Sequence, residues 1–280
     1  VLELTRLLRI DVLYYLMKVS EVLCKSALVK SRIYGVDYAV NPYTGCEHNC
    51  VYCYATFMKR YSNHKEPWGE FVDVKINAPT VLRKQIKKFK KGRVLFSSVT
   101  DAYQPVENKY EITRKCLQQL VGAHFFVSVL TKSSLVRRDI DVLQELSCEV
   151  GFTFTTLDDT IKVVFEPKSS PVQERLKALQ TVHDAGISTY AFFGPIIPFV
   201  SDSQESINEM FDVVQNHVQY VIVDRMNLYA PVWNRIQSAL KPWNPELISQ
   251  FYNLKSNAEY DHILRRRIAE AATVPVEFCF

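Results

Sequence analysis

Three cysteines lie within eight residues, Cys46, Cys50 and Cys53, in the run Asn41-Pro42-Tyr43-Thr44-Gly45-Cys46-Glu47-His48-Asn49-Cys50-Val51-Tyr52-Cys53-Tyr54. Thiolates are the usual protein ligands of iron–sulfur clusters. The C-x3-C-x2-C spacing lets one tight loop wrap three corners of a [4Fe–4S] cubane. No fourth cysteine is close, since the nearest on either side are Cys24 and Cys116. Three thiolates on four irons leave one iron open, and an open coordination position separates a reactive metal site from a structural one. Two other readings stay open on spacing alone. A zinc knuckle would take His48 as fourth ligand, although His48 lies inside the first loop. An electron-transfer ferredoxin would need a fourth thiolate at short range.

A loop of this kind must be held by regular elements. Short β-branched and aromatic runs predict strands at 36–41, 93–99, 125–130, 150–155, 189–193 and 220–225. Helical periodicity falls between them, at 51–61, 78–90, 111–121, 135–146, 172–185 and 204–217. Pro171 opens the fifth of these helices and Gly186 follows it, where a first-turn proline and a left-handed cap belong. Six β–α repeats in order predict an α/β fold with a parallel sheet and right-handed crossovers. Six units are too few for a closed eight-stranded barrel, so the expectation is a partial (β/α)6 TIM-type barrel. The cysteine loop leaves the first strand of this series, at the C-terminal mouth where α/β active sites form.

The motif and its surroundings resemble the radical S-adenosylmethionine (SAM) superfamily, and most closely its spore photoproduct lyase-like branch. The shared features are the Gly-Cys entry, the Tyr52-Cys53-Tyr54 exit, Phe-Ser-Ser-Val-Thr-Asp-Ala-Tyr-Gln-Pro at 96–105 and Leu-Thr-Lys-Ser at 130–133. Glu-Pro-Lys-Ser-Ser-Pro-Val-Gln-Glu-Arg-Leu at 166–176 and Gly-Pro-Ile-Ile-Pro at 194–198 extend the likeness. The resemblance implies that Cys46, Cys50 and Cys53 hold the cluster and that SAM chelates the open iron. It implies Tyr52 near the adenine, and Ser98, Thr100 and Asp101 as polar partners of the SAM amino group. Lys132 would meet the SAM carboxylate or ribose, and Thr153 would face the ribose. A one-electron reductant of flavodoxin or ferredoxin type would drive reductive cleavage of SAM to a 5′-deoxyadenosyl radical, the cofactor carrying the hard chemistry. A nucleic-acid substrate, with DNA repair, is the inherited expectation. A peptide, an RNA base or a small metabolite is the alternative within the same chemistry. A cluster-bearing redox or regulatory protein without SAM chemistry is the alternative outside it.

One departure stands out. Spore photoproduct lyases carry a cysteine at the end of the second strand that returns a hydrogen atom to the repaired thymine, and here the segment reads Phe96-Ser97-Ser98-Val99-Thr100-Asp101, which speaks against direct reversal of that lesion. Cys116 and Cys148 read as core residues. Cys279 and Cys24 are the remaining thiols for that role, Cys279 being the candidate carried forward, although buried packing is the better reading of each. Tyr43, Tyr54 and Tyr103 are aromatic candidates near the mouth for relaying a radical.

Composition bounds the rest. The chain has 280 residues, 48% of them hydrophobic, which suits a packed core. A net charge of +4 permits a polyanionic partner without requiring one. The basic run Arg83–Arg93, with Arg137-Arg138 and Arg265-Arg266-Arg267, is the sequence's own hint of phosphate contact. The plainer reading of the run is the solvated face of a helix whose Ile86 and Phe89 turn inward. Residues 1–23 are expected to form an amphipathic helix or a leader, 24–230 the catalytic domain, and 231–280 a C-terminal helical cap ending in a strand. No uncharged run is long enough to cross a bilayer, and clustered cysteines without disulfide density suit a cytoplasmic location.

Overall fold

The structure, a computed structural model, describes residues 17–254 and 258–280. Among them eleven strands form: β1 (Lys18–Val22), β2 (Leu28–Lys30), β3 (Tyr38–Val40), β4 (Tyr43–Thr44), β5 (Phe71–Lys75), β6 (Arg93–Phe96), β7 (Phe126–Thr131), β8 (Ser147–Phe154), β9 (Ser188–Ile196), β10 (Val221–Arg225) and β11 (Val276–Phe278). The main sheet runs β11-β10-β9-β8-β7-β6-β3-β2. Strands β3 and β6 to β10 are mutually parallel and stand in chain order, as the six β–α repeats predict. β11 extends the sheet in parallel at one end and β2 borders it antiparallel at the other. The two end strands do not pair with each other, so the sheet is open.

Period-two alternation divides the sheet into two faces. Val94, Phe96, Val127, Val129, Val150, Phe152, Ala191, Phe193, Val221 and Val223 are sealed on one face, within the principal hydrophobic core. Their neighbours Leu95, Leu130, Phe192 and Ile222 are only half-buried and turn to the inner face. That face is plugged at the N-terminal ends of the strands. Glu149 there meets Arg93, Ser128 Oγ at 2.8 Å and Tyr220 OH at 3.1 Å, and Tyr190 stacks on Tyr220 at 5.1 Å. Tyr190 lies so close over Gly151 that a Cβ there would stand 2.1 Å from its ring. The inner face therefore opens toward the C-terminal ends of the strands, where the cysteine loop sits.

Several expectations need correction. Residues 18–22, expected in an N-terminal helix or leader, form β1, which pairs in parallel with β5 in a small sheet β1-β5-β4. Residues 1–16 of that expectation lie outside the described residues. The helix expected over 51–61 begins only after Cys53, as a 3-10 helix Tyr54–Tyr61, because a turn from Cys53 N to Cys50 O at 3.2 Å uses the preceding backbone. The C-terminal helical cap contains the helices Ala230–Trp243, Glu246–Asn253 and Ala258–Ala271. The C-terminal strand joins the main sheet beyond β10. The basic run begins in the last turn of the helix Ala78–Gln85 and ends on the first residue of β6, so it occupies the end of the sheet away from the cysteine loop. Ile86 is buried there and Phe89 packs edge-on to Tyr38 at 5.4 Å, as the plainer reading of the run has it.

Candidate active site

The cysteine loop is built from a glycine outward. Gly45 has φ +90°, and a Cβ there would stand 2.2 Å from the Phe71 carbonyl oxygen. Only glycine brings the chain this close to β5 and turns it into Cys46. The Gly45 carbonyl accepts from Thr100 Oγ1 at 2.6 Å, and Glu47 N donates to Gln104 Oε1 at 2.8 Å. On the other side Val51 N donates to Phe165 O at 2.9 Å and Lys168 N to His48 O at 3.3 Å. The three thiols are reduced and enclosed, Cys46 and Cys50 buried and Cys53 half-buried. Cys46 and Cys53 share an apolar pocket with Ala55, Trp68 and Phe71. Burial pushes each thiol up, Cys50 to about 12. Lys132 pulls Cys50 and Cys53 back down, and Arg235 does the same for Cys53.

Arg235 is the largest feature that sequence reading missed. It comes from the C-terminal helix Ala230–Trp243 and lays its guanidinium across the loop. Nη2 donates to Asn49 Oδ1 at 2.8 Å and Cys50 O at 3.1 Å, and Nη1 donates to Trp68 O at 3.2 Å. No motif marks it, because it is one arginine in an ordinary amphipathic helix.

Behind the loop lies a buried polar network from the 166–176 segment. Glu166 and Arg175, both fully buried, pair at 2.6 Å. Glu166 also accepts from Ser169 Oγ at 3.1 Å, from Thr155 Oγ1 at 3.2 Å and from the Tyr52 hydroxyl. Arg175 Nη1 donates to Thr153 O at 2.8 Å, and Nε donates to Ser170 O at 2.8 Å. Burial drives the Glu166 carboxyl up, but Arg175, Lys132 and the Tyr52 hydroxyl outweigh it and hold it at about 2. Resemblance marked this segment in the sequence, but the pairing inside it was not legible there.

The expected SAM-side residues separate into two groups. Lys132 and Tyr52 come together, and Thr153 lies one residue past the Thr131–Phe152 pairing on the neighbouring strand. Lys132 Nζ lies 5.8 Å from the Tyr52 ring centre, and Cys50, Glu166 and Asp101 hold its charge against burial. Thr153 is buried on β8 and its Oγ1 has no partner among the described residues. Asp101, Thr100 and Ser98 are engaged by the chain itself. Asp101 Oδ1 accepts from Thr131 Oγ1 at 2.7 Å and Tyr103 N at 2.9 Å. Its Oδ2 accepts from Lys132 N at 2.8 Å and stands 3.4 Å from His48 Nδ1. Thr100 holds Gly45, and Ser98 Oγ accepts from Asn41 Nδ2 at 3.0 Å. The Asp101 and Thr100 hydrogen bonds thus shape the loop and the end of β7.

The radical-relay candidates separate as well. Tyr103 is sealed beside Asp139 and Tyr43 donates to Glu107, so neither faces the mouth. Tyr54 is half-exposed next to Cys53, with its hydroxyl on Ser98 O. Cys279 N donates to Val223 O at 2.9 Å, which continues the β10–β11 ladder and sets Cys279 beside Asp224. Cys279 is exposed; Cys24, Cys116 and Cys148 pack in or against the core.

Asp224 carries a testable cost. Burial raises its carboxyl from 3.8 to about 6, with Arg225 opposing. A raised carboxyl contributes stability that is present below the unfolded value and lost as pH climbs through the folded one. Asp224→Asn is therefore expected to melt with the parent at pH 4. At pH 7.5 it should be more stable by about 1–2 kcal/mol, allowing for partial exposure. Urea melts at the two pH values check this, and a difference independent of pH contradicts it.

These parts define a class. The radical SAM superfamily model matches residues 40–211, from the last residue of β3 into the helix Gln204–Val214. The chain belongs to the radical SAM superfamily, whose enzymes use a [4Fe–4S] cluster and SAM. It is 32% identical over 256 residues to an uncharacterized protein of Methanocaldococcus jannaschii, covering 91% of this chain and 85% of that one. It is 24% identical over 221 residues to a radical SAM Nα-GlyT isomerase of Pseudomonas phage M6, covering 76% of this chain and 44% of that one. In fold it is similar to spore photoproduct lyase complexed with dinucleoside spore photoproduct. The TM-score is 0.70 at 15% identity, over 93% of this chain and 82% of that one. A lyase variant with bound AdoMet matches at TM-score 0.68 and 14% identity, over 94% and 82% of the two chains. Membership makes the protein an enzyme and sets aside the zinc-knuckle and ferredoxin readings.

Proposed function

We propose that Cys46, Cys50 and Cys53 hold the [4Fe–4S] cluster and that the inner face beside Lys132 and Thr153 receives SAM. The observation that carries this is the orphaned Thr153 Oγ1, buried without a partner among the described residues, one residue past the Thr131–Phe152 pairing on the strand beside Lys132, whose ammonium acts on Cys50. A buried unpaired hydroxyl is costly unless a ligand completes it. When bound, the cluster and SAM supply a 5′-deoxyadenosyl radical able to take a hydrogen atom from a substrate. The chain's own residues do the rest. Lys132 offers a point charge to a carboxylate. Tyr52, braced by Glu166, walls the site, and the aromatic plug below keeps water out. The electron comes from a flavodoxin- or ferredoxin-type reductant.

The substrate is a nucleic acid, and its base meets the rim of the mouth. The 3-10 helix after Cys53 exposes Tyr54, Phe57 and Tyr61, and Arg60 lies 5.4 Å over Phe57 and 4.7 Å over Tyr61. Stacked aromatics with arginine are the sequence-tolerant way to hold bases. The dinucleoside in the lyase complex supports the same reading. Tyr54 and Cys279 are the hydrogen-relay candidates, both exposed and both within electrostatic reach of Asp224.

Anaerobically reconstituted, reduced protein with SAM is expected to form 5′-deoxyadenosine, and more of it with an oligonucleotide present. Deuterium from a labelled base should appear in the nucleoside. Cys50→Ala should lose the cluster absorbance and all turnover. Lys132→Met should keep the cluster but lose at least about tenfold in turnover at fixed SAM, the scale of one lost charged hydrogen bond. An intact cluster that never cleaves SAM rejects the cofactor assignment. Cleavage indifferent to every DNA and RNA offered rejects the substrate.

A further inference from the structure

The end of the sheet away from the cysteine loop carries a second set of ligating side chains. His183 and Asp184 end the helix Val172–Asp184, and His217 ends the short 3-10 helix Gln215–His217. These segments lead into β9 and β10, so the three residues sit at the strands' N-terminal ends. One ligand atom from each lies within 4.8 Å of the others. His183 Nδ1 stands 3.2 Å from Asp184 Oδ1, and the two imidazoles meet edge to face with centroids 5.4 Å apart. His217 Nδ1 is buried and has no hydrogen-bond partner among the described residues, an expensive condition for a ring nitrogen. The backbone around the cluster is fixed: His217 O accepts from Thr189 Oγ1 at 2.5 Å, and His183 O accepts from Gly186 N at 2.9 Å.

We infer that His183, Asp184 and His217 form a binding site for a first-row divalent cation, zinc above all. Two neutral imidazoles and a carboxylate, with water in the fourth place, are a zinc ligand set. The negative end of the helix Val172–Asp184 adds attraction for a cation in its last turn. Tetrahedral bonds of about 2.0–2.1 Å need the ligand atoms to draw together to roughly 3.3 Å. The side chains that must move are free to do so, since those of His183 and Asp184 are 35% and 59% exposed. His217 is the anchored ligand, and the metal satisfies its orphaned nitrogen. Bound there, the ion clips the helix Val172–Asp184 to the segment that feeds β10. The site is independent of the radical chemistry at the other end of the sheet.

The test uses protein whose cluster has been reconstituted anaerobically, so that the three cysteines are filled, titrated with Zn2+ alone. The expected result is uptake of one equivalent, a higher melting temperature and a zinc-edge X-ray absorption shell of nitrogen and oxygen at about 2.0–2.1 Å. His183→Ala, at a half-buried surface position whose loss should not disturb folding, and Asp184→Asn should each weaken zinc at least about tenfold. The yield of 5′-deoxyadenosine should not change in either. Lack of stoichiometric uptake overturns the site. So does a sulfur shell at about 2.3 Å, or an affinity unchanged in both His183→Ala and His217→Gln.

Discussion

Arg175→Met lowers the stability of the protein by about 3–5 kcal/mol, the cost of leaving one partner of a buried ion pair alone. The Glu166 carboxylate would then keep only the Tyr52, Thr155 and Ser169 hydroxyls, with Lys132 as the nearby charge. Glu166→Gln strands the guanidinium instead and is expected to cost about as much. The double variant should recover part of the loss, because neither charge then stands unpaired. The pH dependence has a definite sign. Glu166 sits at about 2 against an ordinary 4.5, so its contribution is present above about 4.5 and disappears as pH falls toward 2. Denaturant melts between pH 3 and 7 read this directly. Parent and Arg175→Met should differ least at the acid end, and a constant gap contradicts the assignment. The consequence reaches the cofactor because the Tyr52 hydroxyl is held by the same carboxylate, two residues from Cys50 and next to Cys53. Iron retained per chain should fall in both single variants.

Arg235→Met acts on the cluster loop more than on the fold. It removes the donors that serve Asn49 Oδ1 and the carbonyls of Cys50 and Trp68. Hydrogen bonds to a charged group are worth about 1.5–3 kcal/mol each, but these carbonyls sit at a loop that water can partly reach, so global stability should fall by only about 2 kcal/mol. The larger effect is on ligand geometry. Partners one shell out from a metal typically change retention by about 10–100-fold, and release of iron to a chelator should accelerate on that scale. Arg235→Lys keeps the charge but not the planar fork, so it should restore little. Equal release rates in parent and Arg235→Met would show that the loop holds its shape unaided.

Some of this protein is readable along the chain because the interactions responsible are local. The β–α alternation is a matter of side-chain period, and the six central strands fall where β-branched runs predict them. The cysteine spacing likewise encodes its own loop, with Gly45 demanded by a positive φ and a close approach to Phe71. Strand β5 escaped notice because Phe71–Lys75 follows a long irregular stretch and pairs with β1 and β4 from distant parts of the chain. Asp101 and Thr100 were expected to face a ligand, yet folding brings Thr131, the Lys132 backbone and Gly45 within their reach first. Tyr103 illustrates the same limit. Two residues past Asp101, it turns into the core beside Asp139 rather than out to the mouth.

The amino-acid sequence alone determined the parallel α/β class, the thiolate loop and the family to which the chain belongs, since these rest on period, spacing and short-range geometry. Tertiary structure alone decided that Arg235 would suture that loop across 185 residues from Cys50 and that Glu166 would meet Arg175 and Tyr52 in one buried knot. It also decided that the basic run would face away from the mouth while aromatic residues line it. Charges and hydroxyls acquire their roles from whichever partners folding brings within a hydrogen bond, and a linear order does not contain that distance.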